Sequence, residues 1–266
     1  MPFVSLEKVV KRAPLGLRCM DIVRDLPVTN GLIVEARPRT ATTPGIIAQR
    51  SPVSGIYGFR SLPGLRDYEL GLRPASDWCT NGGTPAEANF VITLTDQQRR
   101  FLPQVLLLCL PREQLVEVPL YSSPARVVSG GYAVIRGEVW NTSTNAPARW
   151  AVVTAMPGGY ATVTDAKGLF ALFIPYPPLA ESPIFDSVPI PELHWPLTFQ
   201  VLYQPVAQVE LLTGYPPGTA SIIAQAAATV FDTATTSGAS LVRSLRYGQE
   251  LIVQTADESR LLVNPA

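Results

Sequence analysis

The sequence predicts a mostly β protein in which two antiparallel β-sandwich modules stand in tandem and an extended C-terminal arm follows them. Three observations predict it. Proline is over-used, 26 residues beside 19 glycines with no collagen-like period; it cannot donate a ladder hydrogen bond, so it punctuates short strands and stiffens the turns between them. Apolar and polar residues alternate over short stretches bounded by turn residues, as in FVITLTD, which is the period of a half-buried strand, and LFALFIP reads as a strand too. A strand, a polar turn, a proline and a second strand occur in that order twice, over 17–36 and 135–155, which points to one unit used twice.

Composition sets the outer bounds. An apolar share of 47% over 266 residues is ample for packed cores. Charged residues make up 16%, with 21 basic against 21 acidic, so charge repulsion does little to keep the molecule apart from its neighbours, and a surface covered by other proteins is expected. The same balance lacks the basic excess that neutralises phosphates, which argues against nucleic acid.

The chain divides as follows. Residues 1–12 form an N-terminal segment without the apolar core of a signal peptide, and no stretch reaches the length of a membrane span; cytoplasmic synthesis followed by assembly into a particle is expected. The first module covers 13–119. In it LGLRCMDIV and LIVEARP read as an antiparallel pair across RDLPVTNG, and SPVSGIYGFRSLPGLRDYELG is broken by turns or bulges at Gly55, Gly58, Pro63 and Gly64. DWCTNGGTPAEA reads as a surface loop, and RRFLPQVLLLCLPRE ends the module. A linker over 120–131 leads to the second module, 132–213. There TVTD and LFALFIP are expected to form a hairpin across Asp165 to Gly168, with the aspartate capping the turn and the glycine taking positive φ. From Pro175 the repeated prolines predict an extended path. The arm spans 214–266; its 219–234 stretch fits an amphipathic helix and a strand equally well.

Chemistry-bearing residues are few. The single histidine, His194, in ELHWPL, excludes an all-His zinc site and reads as a packed residue in a proline-rich turn. Of three cysteines, Cys19 and Cys109 lie in apolar stretches that suit buried reduced thiols, and Cys79 shows no metal-ligand spacing. No phosphate-binding loop is present, and the NGGT and SGGY glycines are explained by turns. Asp96 and Asp165, in TLTD and TVTD, invite comparison with a catalytic pair, but turn capping accounts for both; no calcium-loop run occurs. Tyr57, Phe59, Tyr68, Trp140, Trp150 and Tyr160 would suit a sugar-stacking platform, yet aromatics alternating along strands are more simply core. No enzyme activity, cofactor, metal or catalytic residue is expected.

The stretch GEVWNTSTNAPARWAVVTAMPGGYATVTDAKGLFALFIP resembles the carboxypeptidase regulatory-like, transthyretin-like sandwich family. Pro147, Thr164, Asp165, Gly168 and Phe170 occupy the places of that family's structural hairpin turn, while NTSTNAP lacks its usual glycine. The family's modules are scaffolds or adhesion units, so the resemblance transfers no catalytic residue. More broadly, GLRCMDIVRDLPVTNGLIV, SGIYGFRSLPGLRDYE, RRFLPQVLLLCLP and LRYGQELIV are similar in their order to accessory proteins of contractile injection systems, the phage-tail-like particles. That resemblance implies a structural or adaptor subunit, in several copies, contacting baseplate, sheath or tube proteins. A carbohydrate- or cell-surface-binding module is the competing expectation.

Overall fold

The computed structural model describes residues 11–41, 44–79, 89–128, 130–176 and 193–266. The NGGT loop, nearly all of the N-terminal segment and most of the proline-rich path after Pro175 lie outside them. Strands account for 43% of residues and helices for 7%, so the protein is mostly β. The chain forms two compact units: unit 1 is Met1–Asp21, Asp25–Gln97 and Val105–Pro119, and unit 2 is Ile22–Arg24, Gln98–Gln104 and Leu120–Ala266.

Unit 1 is built from β1 (Gly16–Asp21), β2 (Leu26–Pro27), β3 (Leu32–Pro38), β4 (Ile46–Ile47), β5 (Gln49–Arg50), β6 (Tyr57–Gly58), β7 (Asn89–Asp96), β8 (Gln104–Cys109) and β9 (Val116–Leu120). One sheet has the order β2-β1-β6-β5 with β9 also paired to β1; the other has the order β4-β3-β7-β8. In the second sheet β3 and β7 run antiparallel from Leu32 opposite Asp96 to Pro38 opposite Phe90. On β3 Val34 and Ala36 are buried in alternation, the period of two of a one-sided strand, whereas β7 is buried continuously from Phe90 to Leu94, as in a strand covered on both faces. A four-residue helix, α1 (Arg66–Glu69), interrupts the β chain. Its buried Glu69 is satisfied by the Leu62 amide, which donates to the carboxylate at 2.8 Å.

Unit 2 contains β10 (Tyr132–Asn141), β11 (Ala146–Pro147), β12 (Val152–Met156), β13 (Tyr160–Val163), β14 (Leu169–Pro175), β15 (His194–Leu202), helix α2 (Thr219–Ile223), β16 (Thr229–Phe231), β17 (Ser237–Gly238), β18 (Leu241–Arg246), β19 (Leu251–Ile252) and β20 (Leu261–Asn264). β10 is the hub. β14 runs antiparallel to its first seven residues and β11 to its last two. Further along the chain, β19 pairs parallel with Ile135 and Arg136, and β20 parallel with Val139 to Asn141. The second sheet has the order β13-β12-β15-β18. One apolar cluster takes Ile135 and Val139 from β10, Val153 from β12, Phe170 from β14, Phe199 from β15 and Leu261 and Val263 from β20, so side chains of both sheets share a single core.

Several expectations change. The 214–266 segment is no extended arm: β18 pairs with β15 from Phe199 opposite Leu241 to His194 opposite Arg246, and β20 lies between β10 and β16. The physical reason is its apolar content, since Leu241, Leu245, Val253, Leu261 and Val263 are all buried in the unit 2 core, each worth about 1.5–3 kcal/mol when removed from water. The 219–234 stretch resolves into the short α2 followed by β16. The strand pairs expected as hairpins are split as well: β1 and β3, β10 and β12, and β13 and β14 each lie in different sheets. Within the expected linker, Ser122 and Arg126 are buried. Arg136 on β10 ties this stretch down by donating to the carbonyls of Pro124 and Arg126 while pairing with Glu250 at 2.8 Å.

Gly137 explains how Phe170 fits. A Cβ at this glycine would lie 2.7 Å from the Phe170 ring and 2.7 Å from the Val253 carbonyl oxygen. Phe170→Ala should cost about 3–5 kcal/mol and Gly137→Ala about 1–3 kcal/mol by overpacking. In urea unfolding the double variant should cost less than the sum, because removing the ring vacates part of the space that the new methyl needs; additive costs would show that ring and glycine are not matched.

Candidate functional site

The five residues of the resemblance meet at a corner where the chain leaves one sheet of unit 2 for the other. Asp165 follows β13, and its Oδ1 accepts from the Lys167 amide at 2.7 Å and the Leu169 amide at 3.0 Å. Its own amide donates to the Leu169 carbonyl at 2.8 Å, and the Gly168 amide donates to the Asp165 carbonyl at 3.0 Å. Gly168 has φ +78°, and a Cβ there would lie 2.6 Å from the Val139 carbonyl oxygen and 3.1 Å from Pro147 Cβ. Positive φ and close approach therefore both demand glycine. The Gly168 carbonyl in turn accepts from the Val139 amide at 2.8 Å, which locks the corner onto β10.

Thr164 is the buried member. Its hydroxyl donates to the Ala148 carbonyl at 2.7 Å and accepts from the Ala151 amide at 2.9 Å. It thus holds the loop between β11 and β12 where no strand partner is available, and two buried backbone groups depend on one side chain. Phe170, two residues past the glycine, drops its ring into the core. The turn before Pro147 lacks glycine because Asn145 takes φ 48° itself, a conformation that asparagine tolerates better than most residues. Asn145 Oδ1 also accepts from Trp140 Nε1 at 3.0 Å.

The same turn geometry recurs earlier in the chain, at Asp25 in unit 1 and at Arg99 in the Gln98–Gln104 piece of unit 2. Asp25 takes φ 52° before Leu26 and Pro27; Met20 pairs with Pro27 and Asp21 with Leu26, as Trp140 pairs with Pro147 and Asn141 with Ala146. The Val28 amide donates to the Cys19 carbonyl at 2.8 Å, and the Ala148 amide to the Val139 carbonyl at 2.8 Å. After Asp96, Arg99 takes φ 56° where Gly168 stands after Asp165, and Phe101 is buried where Phe170 is. The alternation alone carries no sign of this match; the spacing of TD, a positive-φ residue and a phenylalanine was the available signal.

The remaining chemistry-bearing residues fall partly where expected and partly elsewhere. His194 begins β15, exposed and opposite Arg246, rather than packed in a turn. Cys109 is not a reduced thiol: it is disulfide-bonded to Cys79, with Cα atoms 5.9 Å apart. Cys19 is a buried free thiol, and burial pushes its pKa up to about 12. Tyr57, Phe59 and Tyr68 are buried in unit 1. Trp140 lies under the Arg260 guanidinium, 3.8 Å from its ring centroid, Trp150 packs on Val152 and Val163, and Tyr160 packs on the unit 2 core. These six do not form one exposed platform. Among the described residues, no group of three or more His, Cys, Asp or Glu could hold a metal ion, and no helix is long and apolar enough to cross a membrane.

The surface feature that remains is the outer face of the β12, β15 and β18 sheet. Met156 lies opposite Thr198, and Thr198 opposite Val242, giving a transverse row. Val242 is 57% exposed and Met156 47% exposed. β18 ends the strand order of its sheet, so its side away from β15 offers backbone groups for a further strand. The interior corner is a structural device, whereas the Met156 and Val242 ends of this row are exposed on the outer face of its sheet.

No family model matches the chain, and no curated protein does. Among solved structures it is similar to a mutant form of the shaft pilin SpaA from Lactobacillus rhamnosus GG, at 9% identity over 96% of this chain and 98% of that one, with a TM-score of 0.24. So low a score carries no argument.

Thr164→Val keeps the shape and removes both hydroxyl bonds, leaving buried backbone groups unpaired at about 1–3 kcal/mol. Asp165→Ala removes a cap from an exposed turn and should cost about 1 kcal/mol or less, and Asp165→Asn should cost less again because an acceptor oxygen remains. Urea midpoints should fall furthest for Thr164→Val and least for Asp165→Asn; an equal or larger loss for Asp165→Ala would move the weight of the corner from Thr164 to the cap.

Proposed function

We propose that this chain is a structural or adaptor subunit, built from two tandem transthyretin-like sandwiches, of a phage-tail-like contractile injection system. It acts through protein–protein contacts with baseplate, sheath or tube proteins and is present in several copies. The observation that carries the reading is the repeated corner. Asp25 with Pro27 and Asn145 with Pro147, then Asp96 with Phe101 and Asp165 with Phe170, repeat one turn chemistry along the chain. Duplicated β units of this kind suit rigid spacing. Further support comes from the balanced charge of the chain, which leaves little repulsion between packed neighbours, and from the sequence resemblance to accessory proteins of such particles.

The contact mode changes with the fold. Because the C-terminal strands fill the unit 2 core, a neighbour is met by the β18 edge and the Met156, Thr198 and Val242 row rather than by a loose tail. Strand addition at such an edge uses backbone hydrogen bonds for affinity and alternate side chains for specificity.

A second reading, a carbohydrate- or cell-surface-binding module, is favoured by one observation: Tyr176 lies 5.8 Å from Trp195 and 4.7 Å from Tyr247, centroid to centroid, and Tyr247 is partly exposed. On that reading the protein behaves as a monomer retained on polysaccharide, and Tyr247→Ala weakens retention.

The test is to isolate the tagged full chain from its native cells and image what accompanies it by electron microscopy. Tube-and-sheath objects carrying the chain are expected. Val242→Asp combined with Met156→Asp should leave circular dichroism unchanged and reduce incorporation at least about tenfold, since two charges facing an apolar contact cost more than about 1.4 kcal/mol. A free monomer in the native lysate, or full incorporation of the double variant, would contradict the proposal and its contact face respectively.

A further inference from the structure

We propose that Cys79 is a thiol–disulfide exchange site, at which a low-molecular-weight thiol of the glutathione class opens the Cys79–Cys109 bond and releases the 71–79 stretch of unit 1. Two features of the surroundings lead there. Cys79 lines an open cleft of about 360 Å³ together with Ala75, Ser76, Pro111, Arg112 and Glu113, so a small thiol has a path to its sulfur. Arg112 Nε donates to the Cys109 carbonyl at 3.3 Å, so the cleft that Cys79 lines carries a cation on its wall; a nearby cation favours thiolate over thiol. Glu113, on the same cleft wall, acts in the opposite sense and limits that gain.

Among the described residues, the backbone hydrogen bonds of the stretch that the bond restrains are local. The amides of Gly71, Leu72, Arg73, Asp77 and Trp78 donate to Tyr68, Asp67, Asp67, Pro74 and Ala75. Arg73 turns back on its own segment, donating to the Asp77 carbonyl at 3.0 Å and lying 4.4 Å from the Trp78 ring centroid. Every one of these interactions stays within 66–79. The buried Trp78 ring and the disulfide to the end of β8 are what fix the segment to the sheet, so cutting the bond lowers the local opening free energy of this stretch while leaving the β3 and β7 core paired.

The chemistry balances with thiols alone. A small thiolate attacks Cys79 Sγ and forms a new S–S bond there; the electron pair of the Cys79–Cys109 bond leaves on Cys109 as thiolate, which takes up a proton. A second small thiolate attacks the mixed disulfide at its small-molecule sulfur, freeing Cys79 and giving the small-molecule disulfide. Two small thiols are oxidised and one protein disulfide is reduced; the small-molecule disulfide reverses the sequence.

The experiment uses the full native chain. After incubation with excess reduced glutathione and a quench with iodoacetamide, peptide mass spectrometry should find Cys79 and Cys109 alkylated and Cys19 unmodified, because Cys19 is buried and its thiol is held protonated. Chymotrypsin cleavage after Leu72 and Trp78 should accelerate at least about tenfold on reduction, and Cys109→Ser treated with oxidised glutathione should carry one glutathione on Cys79. A bond that resists glutathione until the protein is denatured, free Cys79 and Cys109 thiols in the untreated oxidised protein, or an unchanged cleavage rate would each overturn the proposal.

Discussion

The constraint on which unit 2 depends is the parallel pairing of the last strands with β10. Ile135 and Arg136 take β19, and Val139 to Asn141 take β20, so one edge of a ten-residue strand is closed by residues more than a hundred positions away. The Val253 amide continues this alignment by donating to the Arg136 carbonyl at 2.8 Å. Leu261 and Val263 deliver apolar side chains to the core, and Arg260 stacks on Trp140 while pairing with Glu138 at 3.2 Å. The exposed ion pair contributes little by itself; burial of the strand decides the outcome. A C-terminal segment so committed is part of the unit 2 core and leaves the outer row of β18 exposed.

The corners impose a second constraint. A sheet-to-sheet crossing leaves backbone groups without ladder partners, and each must be satisfied locally. In unit 2 this falls to Thr164 and Asp165, with Gly168 supplying the conformation that lets β14 reach β10. Earlier in the chain the equivalent positions are Asp25 and Arg99, both at positive φ. Arginine at such a position is sterically worse than glycine, so the turn after β7 is kept at higher local cost. The same device is thus repeated along the chain in residues of different type.

Individual strands were legible in the sequence from short apolar or alternating runs bounded by turn residues: FVITLTD, LFALFIP and AVIRGEVW are strands where those runs lie, although β7 and β14 are buried continuously rather than on one face. The turn at Asp165 to Gly168 was legible too, since capping and positive φ are local. Strand partners were not. Alternation records which face of a strand is buried and is silent about which strand lies beside it, so β13 and β14 looked like a hairpin although they belong to separate sheets. The C-terminal segment looked like an arm for the same reason: its apolar residues require a partner, but nothing local names β10. Cys79 and Cys109 meet only once β8 is in place, and the exposure of His194 follows from its position at the end of β15. Gly137, in the middle of β10, was a legible hint of a close approach that pattern reading passed over.

Hydrogen exchange followed amide by amide tests the central pairing most directly. If β19 and β20 are integral to the β10 sheet, the amides of Val253 and of the strand 261–264 that face β10 or β16 exchange as slowly as those of Val134 to Glu138 in the β10 and β14 ladder, by the same global opening. Exchange at the C-terminal strand that is faster by orders of magnitude, while β10 and β14 stay protected, would show a frayed tail and contradict the account.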